Sequence, residues 1–116
     1  FTLEHKNSLS MGRIDGYDRN KIQLGGRTEK LMRLGDLRAK MESFGFVVDE
    51  VNGHDFNELL PTLHKKTPGF PHCIIAHTIK GKGVSYMEDD PAWHGGIPKA
   101  DQLSQAYAEL GGSYHE

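Results

Sequence analysis

Lys80-Gly81-Lys82-Gly83 sets two ammonium groups beside backbone that glycine leaves open to close approach, which suits a phosphate or a diphosphate. Taken alone, such a Gly/Lys run is more often a solvated turn. Asn20 carries a hard oxygen donor, and the main-chain carbonyl two residues on, at Ile22, is spaced to join it on a small divalent cation such as magnesium. An isolated Asn is more often a turn residue. His94, between Trp93 and Gly95, offers an imidazole for proton shuttling or hydrogen bonding near neutral pH. The chain has seven histidines, so most of them are incidental. His54, His64, His72 and His77 show neither HxxxH nor HExxH spacing, and one cysteine makes no thiolate set, which argues against zinc. No GxSxG, Walker loop or GxGxxG is present, so serine hydrolase, P-loop and dinucleotide chemistry have no support.

These residues need elements to hold them. Leu34, Leu37, Met41 and Phe44 recur at helical spacing, with Gly45 as a left-handed stop, which predicts a helix. Phe46 to Val51 is rich in β-branched residues and ends at the turn-forming Asn52-Gly53, the pattern of a strand. Asp55, three residues before Glu58, forms a variant capping box ahead of Leu59, Leu60 and Leu63 on one stripe, predicting a second helix. Pro68, Gly69 and Pro71 then break the chain before Cys73 to Ile79, whose continuous apolar character suits a central strand covered on both faces. Asp101 is placed to cap a last helix carrying Leu103, Ala106, Tyr107 and Leu110, stopped by Gly111-Gly112. Alternation of this kind implies an α/β layer, with Asp18 to Gly26, Lys80 to Gly83 and Trp93 to Gly96 in the connections. In open parallel sheets ligands gather at the carboxyl ends of strands, which is where Lys80 to Gly83 should emerge.

Bulk properties narrow the partners. A chain of 116 residues fits one small domain. A formal net charge of -2 provides no global positive field for nucleic acid or an anionic membrane, so anion binding must be local. No apolar run approaches the roughly 20 residues of a membrane span. The only cysteine, Cys73, lies in an apolar run and reads as a buried small hydrophobe, which suits a reducing cytoplasm. A hydrophobic content of 36% is low for a self-sufficient globule and suggests completion against a partner.

In order, Asp18-Arg19-Asn20-Lys21-Ile22-Gln23, Phe44-Gly45-Phe46 with Glu50 to Asp55, Ile75 to Glu88 and Trp93-His94-Gly95 resemble transketolase. The likeness covers about residues 18 to 112 and is greatest to the cofactor-binding, N-terminal subunit of transketolases split into two chains. It implies a doubly wound parallel sheet of the thiamine-diphosphate-binding type, with residues 1–116 as one domain, incomplete at its N-terminus. It further implies transfer of a two-carbon ketol unit from a ketose phosphate to an aldose phosphate, using thiamine diphosphate and magnesium. By the same resemblance, Asn20 and Ile22 would give the metal their side-chain and main-chain oxygens. Lys80, with Gly81 beside it, would approach the diphosphate, and His94 would lie between the diphosphate and the donor sugar. A family Gly-Asp-Gly motif, whose Asp also binds magnesium, would fall before Phe1. The glutamate that activates the cofactor belongs to a pyrimidine-binding subunit or domain, so a hetero- or homo-oligomer is expected, inactive without that partner. Residues 1 to 17 should hold the end of a helix, with Glu4-His5-Lys6, and then a strand that Ser10 to Arg13 suits poorly. Deoxyxylulose-phosphate synthase shares the Lys-Gly-Lys-Gly and His-Gly features and is an alternative, as is a truncated subunit that assembles without turnover.

Overall fold

The computed structural model describes Thr2-Leu3 and residues 14–112. The elements in chain order are β1 Thr2–Leu3, β2 Ile14–Asp18, β3 Ile22–Gln23, β4 Gly26–Arg27, α1 Thr28–Leu31, α2 Leu37–Ser43 and β5 Val47–Asn52. They continue with α3 Phe56–His64, β6 His72–His77, a 3₁₀ turn at Pro91–His94 and α4 Ala100–Glu109. The chain divides into two compact units, one of residues 1–19 and 34–78, the other of residues 20–33 and 79–116.

The first unit is built on a sheet of order β1-β2-β6-β5. β6 is central and parallel to both neighbours, with Asp15 and Val48 each opposite Cys73, while β1 runs antiparallel to β2. The parallel α/β layer expected from the alternation is thus present, and the strand expected within residues 1–17 is β2, which begins only at Ile14. Glu4 to Arg13 lie outside the described residues.

Alternation explains the core. Met41 of α2 packs with Val48, Cys73 and Ile75, joined by Leu37 and Phe46, on one face. Val51 and Ile74, on the opposite face, are buried as well, and α3 lies against β5 and β6. Two buried faces give β6 its unbroken apolar run.

Helix α2 is shorter than its hydrophobic period predicts. Asp36 caps it by accepting from the Ala39 N–H at 2.9 Å, so Leu34 precedes the helix. Phe44 leaves the buried stripe, being 76% exposed. Gly45 stops the helix at φ 86°, as anticipated. Before α3, Asp55 accepts from the Asn57 N–H at 2.8 Å, but Glu58 accepts from the Asn52 N–H at 2.8 Å rather than from the cap, tying the helix to the end of β5.

In the second unit β3 and β4 form a short hairpin across Leu24-Gly25, followed at once by α1. α4 is capped at Lys99, whose N–H donates to the Gln102 side-chain oxygen at 3.0 Å; Asp101 lies inside the first turn instead of capping it. Gly111 at φ 73° ends α4 as expected. No helix among the described residues is long and apolar enough to cross a membrane.

Candidate functional site

Asn20, Ile22, Lys80, Gly81 and His94 all fall in the second unit. Asn20 Oδ1 accepts from the Ile22 N–H at 2.9 Å, an Asx turn folded over Lys21, which adopts a left-handed φ of 63°. Non-glycine residues in this region are held there by their surroundings. Here the Lys21 carbonyl accepts from the Thr28 N–H at 2.9 Å, closing the hairpin across the turn. The two expected metal ligands therefore flank one chain reversal. A carbonyl oxygen has two lone pairs, so the turn bond uses only part of the acceptor capacity of Asn20 Oδ1.

Lys80 to Glu88 form a compact loop. The Val84 N–H donates to Gly81 O at 3.1 Å, the Glu88 N–H to Val84 O at 3.0 Å, and the Asp89 N–H returns to Lys80 O at 2.8 Å. Gly81 has φ 72°, and a Cβ there would stand 2.6 Å from Met87 O, so only glycine fits. The two lysines of the tetrapeptide are not equivalent. Lys82 Nζ pairs with Glu88 at 3.3 Å, whereas half-buried Lys80 sends its ammonium to the main-chain carbonyl of Trp93, also at 3.3 Å. Lys80 is thus the lysine whose charge is held beside a neutral acceptor, next in sequence to His94.

His94 ends the 3₁₀ turn, with its side chain exposed. Asp90 starts this turn by accepting from the Ala92 N–H at 2.9 Å, with Pro91 in the first helical position where a missing N–H costs nothing. Trp93 packs against Tyr86 with ring centroids 5.1 Å apart, and the Tyr86 hydroxyl donates to Gln102 O at 2.8 Å. Burial raises the Tyr86 pKa, assisted by Glu109 and Asp101. The turn also packs against β3 and β4. Asn20-Ile22, the Lys80 carbonyl loop and the His94 turn are therefore parts of one packed assembly.

Arg27 and Asp89 belong to the same assembly and carry no motif that singles them out. Arg27 Nη1 and Nη2 reach the two Asp89 carboxylate oxygens at 2.6 and 2.5 Å, and Nη2 also reaches Asp89 O at 3.2 Å. The guanidinium bonds hold the Asp89 carboxyl below its ordinary value, and Asp89 raises Arg27 in return. Sixty-two positions separate the partners, beyond the reach of any local pattern. Only the Asp90-Pro91 pair, a cap followed by Pro, could have pointed to the 3₁₀ turn at residues 91–94, a stretch whose sequence otherwise reads as a connection.

The donors fit a magnesium diphosphate. Asn20 and Ile22 are neutral oxygen donors suited to a hard cation, and Lys80 suits the anion that would bridge to it. Among the described residues no group of three or more His, Cys, Asp or Glu is placed to hold a metal by itself.

Residues 6–116 match the family described as transketolase, thiamine diphosphate binding domain. The chain belongs to that family. It is 42% identical over 95 residues to an apulose-4-phosphate transketolase subunit of Phocaeicola vulgatus, covering 80% of this chain and 34% of that protein. It is 35% identical over 95 residues to the 6-deoxy-6-sulfo-D-fructose transketolase subunit SqwG of Clostridium sp. MSTE9, with the same coverage of 80% and 34%. This transketolase-family chain thus spans about a third of the length of these curated relatives. A crystal structure of Campylobacter jejuni transketolase superposes with TM-score 0.78 at 30% identity, over 86% of this chain and 16% of that one. Similarity to the 1-deoxy-D-xylulose-5-phosphate synthase of Vibrio parahaemolyticus is confined to 52% of the chain and 10% of that protein.

Proposed function

We propose that this chain holds the magnesium diphosphate end of thiamine diphosphate in a two-chain transketolase that moves a two-carbon ketol unit between sugar phosphates. The observation that carries the reading is the Lys80 ammonium directed to the carbonyl next to His94, while Lys82 is occupied by Glu88. When bound, thiamine diphosphate supplies the electron-sink chemistry for cleaving the bond beside a ketose carbonyl. Asn20 and the Ile22 carbonyl would hold the cation, and the Asx turn between Asn20 and Ile22 keeps the two residues together. Lys80 offsets the charge of the diphosphate, and Gly81 lets the loop that presents Lys80 close tightly against Met87. His94, exposed at the end of its turn, gives and takes a proton at the sugar's oxygen.

Relatives named as subunits support a partner chain, which would bring the pyrimidine-binding surface and the activating glutamate. A reducing cytoplasmic setting is the proposed one because the chain's single cysteine, Cys73, is a buried free thiol and cannot form a disulfide within the chain. The test is calorimetry of thiamine diphosphate binding to the chain assembled with its partner, with and without magnesium. Binding that needs magnesium, together with ketose-phosphate turnover, is the expected result. Turnover of pyruvate in place of ketose phosphates would move the assignment to the synthase-like alternative, and binding without any turnover would leave an assembly-only subunit.

A further inference from the structure

The candidate site has three parts that are far apart in the chain: the β3-β4 hairpin with Asn20 and Ile22, the Lys80 loop and the 3₁₀ turn ending in His94. One residue links all three. The carboxylate of Asp89 is gripped by Arg27 at the end of β4 through two charge-assisted bonds of 2.5 and 2.6 Å. Its N–H donates to Lys80 O at 2.8 Å, at the start of the loop. Its neighbour Asp90 caps the turn that ends in His94. Asp89 does this at φ 56°, a left-handed conformation that Asp tolerates better than most residues and that must be held by its bonds.

We propose that Arg27 and Asp89 form a positioning clamp, which sets Lys80 and His94 in register with the Asn20-Ile22 turn and so tunes affinity for the magnesium diphosphate without touching it. This rests on the assignment of the diphosphate site to these loops. Exposure argues against a role in global stability: the two side chains are 42% and 50% exposed, and ion pairs of that kind add little to folding. Their geometry is nevertheless bidentate and reaches the main chain at Asp89 O, so its effect is local and directional.

The experiment uses the chain assembled with its partner and measures thiamine diphosphate affinity by calorimetry in saturating magnesium. Arg27→Gln, Asp89→Asn and the double variant are compared with Lys80→Ala and with the unaltered protein. Asn keeps the left-handed preference at position 89, so the charge is lost without new backbone strain. Each single variant should weaken cofactor binding roughly fivefold, and the double variant no further than either alone, because both remove the same contact. Arg27→Lys, which keeps charge but not the fork, should weaken binding by an intermediate amount. In the cofactor-free assembly, amide hydrogen exchange at Asp89 and Ala92 should quicken in Arg27→Gln while the unfolding midpoint stays unchanged. Unchanged affinity in the single variants, with Lys80→Ala still weakened, would remove the clamp and leave the site. Additive losses, or a fall in unfolding midpoint that accounts for the affinity loss, would also remove it. No cofactor binding by the unaltered assembly would remove both.

Discussion

Replacing Lys80 by Ala deletes the one ammonium of the tetrapeptide that is not engaged by a carboxylate. Charge-assisted bonds to an anion contribute about 1.5–3 kcal/mol, so thiamine diphosphate should bind roughly 10- to 100-fold more weakly, as calorimetry would read. Lys82→Ala should lose much less, since that side chain is paired with Glu88. For His94→Ala, loss of the proposed proton-transfer group predicts a fall in turnover of about 10² or more with cofactor affinity and unfolding midpoint retained. A variant with normal turnover would leave His94 without a chemical role. As candidates these residues stand out in the sequence because their types suit an anion, a cation and a proton, and because the family resemblance gives their order. Arg27 and Asp89 do not, since an ion pair between residues 62 positions apart exists only after folding. Nor could spacing distinguish Lys80 from Lys82, a choice made by where Glu88 falls in the folded loop.

At the scale of elements, β5 and β6 are cross-linked by charge as well as by their ladder. Asp49 accepts from both Lys65 and buried His72, at 2.6 and 2.8 Å, and Glu50 from Arg38 and His77, at 2.7 and 2.6 Å. Burial pushes the Asp49 pKa up, but the bonds to Lys65 and His72 outweigh it and the net shift is downward. Bonds from His77 and Arg38 lower Glu50. Carboxyls depressed in the folded state stabilise it above their ordinary values of 3.8 and 4.5, and that contribution is lost as pH falls through and below them. Asp49→Asn should therefore flatten the acid limb of stability, from about pH 5 down through and below 3.8, by about 1 kcal/mol, measured by denaturant titration across pH. An acid limb as steep as that of the unaltered protein would show that the pair does not hold the strands together. Gly53, at the end of β5, sets a steric limit: a Cβ there would press on the Thr78 methyl and come 3.1 Å from Ala76 Cβ. Thr78 cannot turn aside without releasing Asp18, to which its hydroxyl donates. Gly53→Ala should accordingly lower stability by about 1–3 kcal/mol in the same titration. Strands and helices with a clear period, β5, β6, α2, α3 and α4, were readable from residues alone. The β3-β4 hairpin and α1 were not, because elements of two to four residues are too short to show a period. Asp101 misled as a cap because the cap lies two residues earlier, at Lys99, where Gln102 serves it.

For the molecule as a whole, the exposed apolar side chains matter more than the buried ones. Leu24 and Met32 are 76% and 72% exposed, Phe56 is 71% exposed and Ile97 89%. Single exposed hydrophobes are ordinary, but these belong to both compact units, in a chain whose hydrophobic content is already low. Burying them against other protein surface would stabilise the fold by about 25 cal/mol for each Å² of apolar area removed from water. A partner that binds only the folded chain raises its unfolding midpoint by mass action, in proportion to the logarithm of partner concentration. The chain alone should therefore bind a hydrophobic dye. Adding the partner chain proposed above should raise the midpoint by several degrees and suppress the dye signal together. Alanine or serine in place of Leu24, Met32 and Ile97 should weaken that shift without lowering the midpoint of the chain alone, because side chains already in water lose little by truncation. If the partner raised the midpoint equally in the substituted chain, those side chains would have no part in assembly, and the low apolar content would have to be explained within each unit.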